Sequence, residues 1–143
     1  MDDLDRELQE MDLQDSVVLT GYVDDNSLHW LYQNCFAFLY PSLFEGFGLP
    51  VLEAMSLGAP VISSNTSSLP EVIGETGLTI DPERVDQLVA AMRSLAGGEL
   101  DRSRLCERAL SRAGLFSWEK TARRMLEIYH ETLSAPSLMD LGG

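Results

Sequence analysis

Two carboxylates, Glu45 and Glu53, are separated by seven residues that include glycines at 46 and 48 and a proline at 50. A carboxylate can accept hydrogen bonds from two hydroxyls at once, so such a pair suits a polyhydroxylated ligand, a ribose or a hexose. Gly46 and Gly48 let the backbone approach a ligand closely. Pro50 fits the first turn of a helix, and the free N–H groups of a helix start can donate to hydroxyl or phosphate oxygens. A purely structural reading is equally open. A carboxylate near a helix start complements the macrodipole by about 0.3–1 kcal/mol, and the glycines then serve only the turn. By residue type and spacing alone the two readings stand level.

The elements that position this stretch alternate in type. Leu4, Leu8 and Met11 recur at helical spacing and predict a short amphipathic helix over about 3–11. The β-branched run Val17–Thr20, ended by Gly21, predicts a strand. Asp24 to Ser27 offer N-cap side chains before a helix face of Leu28, Leu31, Tyr32 and Cys35. Phe36 to Tyr40 is an unbroken apolar run stopped by Pro41, which predicts a strand buried on both faces. A helix opens near Leu49 or Pro50 and stops at Gly58. Pro60–Ser63 then predicts a strand, Glu71–Gly74 a helical turn, and Leu78–Ile80 a last strand.

Three helical stripes follow: Val85, Leu88, Val89, Met92 and Leu95; then Leu105, Ala109, Leu110 and Ala113; then Trp118, Ala122, Met125, Leu126, Tyr129 and Leu133. Trp118 and Tyr129 are expected in the core. Strands alternating with helices predict an α/β fold, a Rossmann-like parallel sheet with flanking helices. Ligands of such sheets bind beyond the carboxyl ends of strands, where the Ser42–Gly48 loop falls. One domain over 1–134 is expected, with a disordered tail over 135–143.

The net charge of −13 is unevenly spread. Residues 1–83 hold fifteen acidic side chains and one basic one, Arg6, whereas from Arg84 onward nine basic residues face eight acidic ones. Nucleic-acid binding is excluded, because phosphate neutralisation needs a basic face. The two cysteines, Cys35 and Cys106, form no C-x-x-C pair, and with only two histidines no metal cluster is expected. Both thiols are read as small buried hydrophobes. No G-x-G-x-x-G follows a strand, which argues against a dinucleotide-dependent oxidoreductase. No apolar run approaches the ~20 residues of a membrane span, and the acidic start resembles no targeting signal, so a cytoplasmic location is expected. His29 is read as a surface residue near a helix cap. Ser63, Ser64, Thr66, Ser67 and Ser68 are read as loop-formers without a histidine partner, and Arg102, Arg104, Arg108 and Arg112 as a solvated helix face.

The run E-G-F-G-L-P-V-L-E-A-M from Glu45 to Met55 resembles the E-x7-E signature of retaining GT-B type glycosyltransferases (group 1, family 4-like), enzymes built of two Rossmann-like domains around a cleft. Val17–Val23, Leu31–Tyr32 with Phe38–Ser42, Gly58–Ile62, Leu69–Gly74, Gly77–Pro82 and Phe116–Trp118 resemble further blocks of that family, so the likeness covers about residues 4–133. It implies the C-terminal, donor-binding half of such an enzyme, N-terminally truncated, with the first strands of the sheet and the acceptor domain missing. Val17–Thr20 would then either pair directly with Phe36–Tyr40 or expose an edge open to self-association.

The implied reaction moves a sugar from a nucleotide-sugar donor to an acceptor with retention, with no cofactor and no metal. Glu45 inherits the catalytic contact to the donor sugar near the reacting carbon, and Glu53 the ribose hydroxyls. Backbone amides across Gly46, Phe47, Gly48 and Leu49 inherit the sugar hydroxyls and distal phosphate, and Val23 and Asp25 the base. The implied partners are the nucleoside diphosphate sugar and an acceptor domain or partner chain. Residues 7–83 contain no Lys or Arg. Two phosphates facing them lack compensation worth ~1–4 kcal/mol per charge at ~4 Å. The alternative is therefore a non-catalytic remnant that folds or oligomerises without transferase activity.

Overall fold

Prolines at 41, 50, 60, 70 and 82 punctuate the chain, and each of the strands and short helices between them starts or stops within a few residues of one. The computed structural model describes residues 3–134. In order these form α1 (Asp3–Glu10), α2 (Asp25–Asn34), β1 (Phe38–Tyr40), α3 (Leu49–Ser56), β2 (Val61–Ser64), α4 (Leu69–Ile73), β3 (Leu78–Ile80), α5 (Val85–Ala96), α6 (Arg102–Ala113) and α7 (Trp118–Ser134). The expected tail over 135–143 lies outside the described residues.

The three strands form one parallel sheet in the order β1-β2-β3, with Tyr40 opposite Ser63 and Ser64 opposite Ile80. Side chains alternate across a sheet, so Phe38 and Tyr40 share a face with their β2 partners Val61 and Ser63. On that face Tyr32 meets Phe38 edge-on at 5.1 Å, and Phe38 stacks on Tyr40 at 5.7 Å. Val51, Ala54 and Met55 of α3, Leu69, Val72 and Ile73 of α4, and Ala109 and Ala113 of α6 complete this core. Each fully buried Val, Leu, Ile or Met contributes about 1.5–3 kcal/mol. On the other face Leu39 and Ile62 line an apolar groove of about 440 Å³ with Met92 and Leu95 of α5. Gly77 permits β3 to enter beside β2, since a Cβ there would lie 2.6 Å from the Val61 carbonyl oxygen.

Three expectations from sequence are corrected. Val17–Thr20 forms no strand: it is exposed and irregular, and among the described residues β1 pairs with β2 alone. A β-branched run favours extended backbone, but a strand requires a neighbour to bond. The second correction concerns α7, in which no residue is buried and Trp118 is 79% exposed. Its apolar stripe is real, yet no element among the described residues covers it.

Thirdly, the α6 arginines are not a solvated face. Arg102 donates to the carbonyls of Cys35 at 2.8 Å and Phe36 at 3.0 Å, just past the end of α2. Arg112 donates to Val72 O at 3.1 Å and to Glu71 O, and Arg108 to Glu75 O. These guanidinium groups satisfy carbonyls at the ends of α2 and α4, which helices leave without internal partners. The exposed Arg104 has no such bond. Among the described residues no helix is long and apolar enough to cross a membrane.

Candidate functional site

β1 and β2 are parallel neighbours, so the loops that follow them, 41–48 and 65–68, emerge side by side at the carboxyl end of the sheet. Hydroxyls join them. Thr66 Oγ1 donates to Leu43 O at 3.2 Å. Ser67 Oγ donates to Glu45 O at 2.9 Å and accepts from Glu45 N at 3.0 Å. Ser68 Oγ reaches the same carbonyl at 3.4 Å. Thr66, Ser67 and Ser68, expected as mere loop-formers, are fasteners between two loops, whereas Ser63 and Ser64, read the same way, lie buried in β2. Sequence reasoning missed this because the partners lie 22 residues apart. The adjacency of parallel strand ends was the signal that could have found it.

The side chain of Glu45 is held as well. Tyr40 Oη donates to Glu45 Oε1 at 2.6 Å, and Ser42 Oγ donates to the same oxygen at 2.9 Å. Among the described residues Oε2 receives no donor. The Tyr40 phenol is pushed up to about 12, chiefly because the Glu45 carboxylate holds its proton, and further by burial and by the Glu45 charge. Tyr40 and Ser42 were not singled out from sequence.

Gly48 turns the chain into α3 with φ of 94°, and a Cβ at that position would meet Leu69 Cδ2 at 2.6 Å. Both the backbone sign and the space demand glycine. No side chain caps α3, and Gly48 O already accepts from Val51 and Leu52. Among the described residues the N–H groups of Phe47, Gly48 and Leu49 have no acceptor, and they lie at and just before the start of α3, a place suited to anionic or hydroxyl oxygens. The ring of Phe47 packs edge-on against Phe116 at 6.1 Å, and the Arg112 guanidinium lies over Phe116 at 5.3 Å.

Glu53 stands exposed one turn into α3. Its charge is felt by Tyr32, whose phenol is pushed up first by burial and then by Glu53. Val23 and Asp25 lie at the start of α2, which packs against α3. Asp24 caps α2 through the N–H groups of Asn26 and Ser27, and the Ser27 bonds hold its carboxyl below the usual range. Asp25 and His29 are exposed. Glu45 to Gly48 thus form the end of the loop that leads into α3, with Leu49 at the start of that helix and Glu53 one turn along it.

Charge is the missing ingredient. No Lys or Arg occurs between 7 and 83, and Arg102, Arg108 and Arg112 are committed to carbonyls. Among the described residues no group of three His, Cys, Asp or Glu could hold a metal. Both cysteines are half-buried, short of the full burial expected, and burial pushes the Cys35 thiol up against the opposing pull of Arg102.

A family model described as glycosyl transferases group 1 matches residues 2–112. The O-antigen chain mannosyltransferase B of Escherichia coli is 45% identical over 109 residues, covering 76% of this chain and 29% of that protein. A serotype-specific mannosyltransferase of Escherichia coli is 38% identical over 126 residues, covering 88% of this chain and 16% of that protein. Among solved structures, sucrose-phosphate synthase from Thermosynechococcus elongatus superimposes with a TM-score of 0.80 at 30% identity, over 93% of this chain and 34% of that one. The chain thus spans about a third or less of the length of the relatives it matches. The parallel sheet with flanking helices corresponds to the C-terminal domain of GT-B glycosyltransferases.

Proposed function

We propose, from the premise that this chain belongs to the glycosyl transferases group 1 family, that it is the donor-binding part of a retaining sugar transferase and takes a nucleoside diphosphate sugar. The family is enzymatic, and sugar transfer requires a donor and an acceptor. The observation that supports the reading is the segment from Glu45 to Leu49, where a held carboxylate and three amides without an acceptor follow one another beyond the carboxyl end of β1. In this reading Oε2 of Glu45 meets the donor sugar near its anomeric carbon. The amides of Phe47, Gly48 and Leu49, reached through Gly46, receive sugar hydroxyls and the distal phosphate. Glu53 accepts from the ribose hydroxyls, and Val23 and Asp25 flank the base. Mannose is the sugar favoured, since the similar Escherichia coli proteins are named mannosyltransferases. No metal enters, and the compartment is the cytoplasm.

The acidity of residues 7–83 supports a second statement about the chain by itself. Cations for the diphosphate and the acceptor site must come from outside residues 7–83, through an acceptor domain, a partner chain or a second copy. Alone, the chain transfers no sugar. Calorimetry with GDP-mannose, UDP-glucose and the free nucleotides tests the assignment. Glu53→Ala is expected to weaken nucleotide and nucleotide sugar alike, whereas Glu45→Ala weakens only the sugar-bearing ligand. Identical nucleotide affinities for wild type and Glu53→Ala would remove Glu53 from the site, and turnover by the isolated chain would refute its dependence on outside cations.

A further inference from the structure

The Glu45 segment is restrained twice, at different atoms and from different elements. Its main chain is bridged by Ser67, whose one hydroxyl both accepts from Glu45 N at 3.0 Å and donates to Glu45 O at 2.9 Å. Ser67 does this with φ of 49°, a left-handed backbone that a residue bearing a side chain adopts only where its surroundings impose it. Its carboxylate is gripped separately by Tyr40 and Ser42, both on Oε1. Bonds to an ionised acceptor are shorter and about twice as strong as neutral ones, and the 2.6 Å Tyr40 contact is of that kind. Both bonds fall on one oxygen, so one carboxylate oxygen is held at any moment and the other is left without a donor.

We propose that Tyr40 and Ser67 are positioning residues for Glu45: Ser67 fixes the main chain, Tyr40 occupies Oε1, and Oε2 is left as the one oxygen presented to a donor sugar. The inference rests on the reading of Glu45 as the donor-sugar contact. Neither side chain touches the ligand in it. The stack of Tyr40 on Phe38 provides a purely structural role to set against it, and the two roles separate experimentally.

Tyr40→Phe keeps the stacked ring and deletes only the donor. Ser67→Gly deletes the bridging hydroxyl while relieving the left-handed backbone, so the fold is retained or strengthened. Calorimetry on the full chain compares GDP-mannose with GDP. Both variants are expected to lose roughly ten-fold in affinity for GDP-mannose and little for GDP, the weight of one mispositioned charge-assisted bond. Unchanged GDP-mannose affinity, or equal losses for both ligands, overturns the inference.

A ligand-free measurement accompanies this. Ultraviolet titration, kept within the pH range where circular dichroism reports an intact fold, is expected to show a tyrosine in Glu45→Gln that ionises earlier than in wild type and is absent from the Tyr40→Phe, Glu45→Gln double variant. Superimposable wild-type and Glu45→Gln curves overturn the Tyr40–Glu45 latch. If wild type binds neither ligand, the donor reading fails and takes the sugar-presenting role with it, while the titration still decides whether Tyr40 holds Glu45.

Discussion

α6 and α7 are both amphipathic helices rich in arginine, and they are used in opposite ways. α6 buries Leu105, Ala109 and Ala113, and three of its four arginines reach carbonyls of residues 33 to 67 positions away in sequence. α7 is longer, at 17 residues, and buries none of them. Its arginines pair only within the helix, Arg123 with Glu119 at 2.9 Å and Arg124 with Glu127 at 3.0 Å. The stripes explain part of the difference. Alanines on α6 allow close approach to α3, whereas α7 carries Trp118, Met125, Leu126 and Tyr129, large side chains that need a matching hollow. Amphipathicity marks a face that could be buried; only a complementary neighbour buries it.

The comparison breaks most readily at the apolar stripes. Leu105→Ala is expected to cost about 2–5 kcal/mol in denaturant unfolding followed by circular dichroism, a buried large-to-small loss. Leu126→Ala, at an exposed position, is expected to cost under about 0.5 kcal/mol. Equal losses would mean that α7 is packed in solution. The arginines give the next effect. Arg112→Ala leaves the Val72 and Glu71 carbonyls without their donor and is expected to cost about 1–3 kcal/mol. Arg123→Ala breaks an exposed i,i+4 pair, and the expected loss is about 0.5 kcal/mol or less, vanishing at high salt.

A last effect is one of pH and sharpens the contrast between the site and α7. The folded state raises the Tyr40 phenol from 10.0 to about 12, so the stabilisation from its bond to Glu45 is complete below the unfolded value and fades as pH rises through the folded one. Stability curves over that alkaline interval should lose this step in Tyr40→Phe and keep it in Trp118→Ala. A step that survives in Tyr40→Phe would assign it to another group.

Much of the sheet half was legible in sequence, because its signals are local. Pro41, Gly48, Pro50 and Gly58 bracket β1 and α3, and the unbroken apolar run before Pro41 marks a strand, although among the described residues β1 lies at the edge of the sheet and is partly buried, not buried on both faces as expected. That residues 45–48 form a loop turning into α3 followed from the same punctuation, whereas the roles of Glu45, Gly46, Phe47, Gly48 and Leu49 rest on the resemblance. What was not legible depended on partners distant in sequence. Val17–Thr20 has strand composition but no ladder, Trp118 and Tyr129 have core character but no cover, and Arg102 and Arg112 have surface spacing but carbonyls within reach. The Ser67 bridge belongs with these: the serine by itself gives no sign of its partner 22 residues earlier, and only the adjacency of the loops after the parallel strands β1 and β2 brings Glu45 beside it.

The exposure of α7 also decides how this protein can be watched. Its two tryptophans, Trp30 and Trp118, are 62% and 79% exposed, so both indoles already sit in water in the folded state. Intrinsic fluorescence should scarcely report unfolding, because the emission has little further red shift to make. The same property turns Trp118 into a built-in optical label: a blue shift without any change in circular dichroism would signal that something has covered α7.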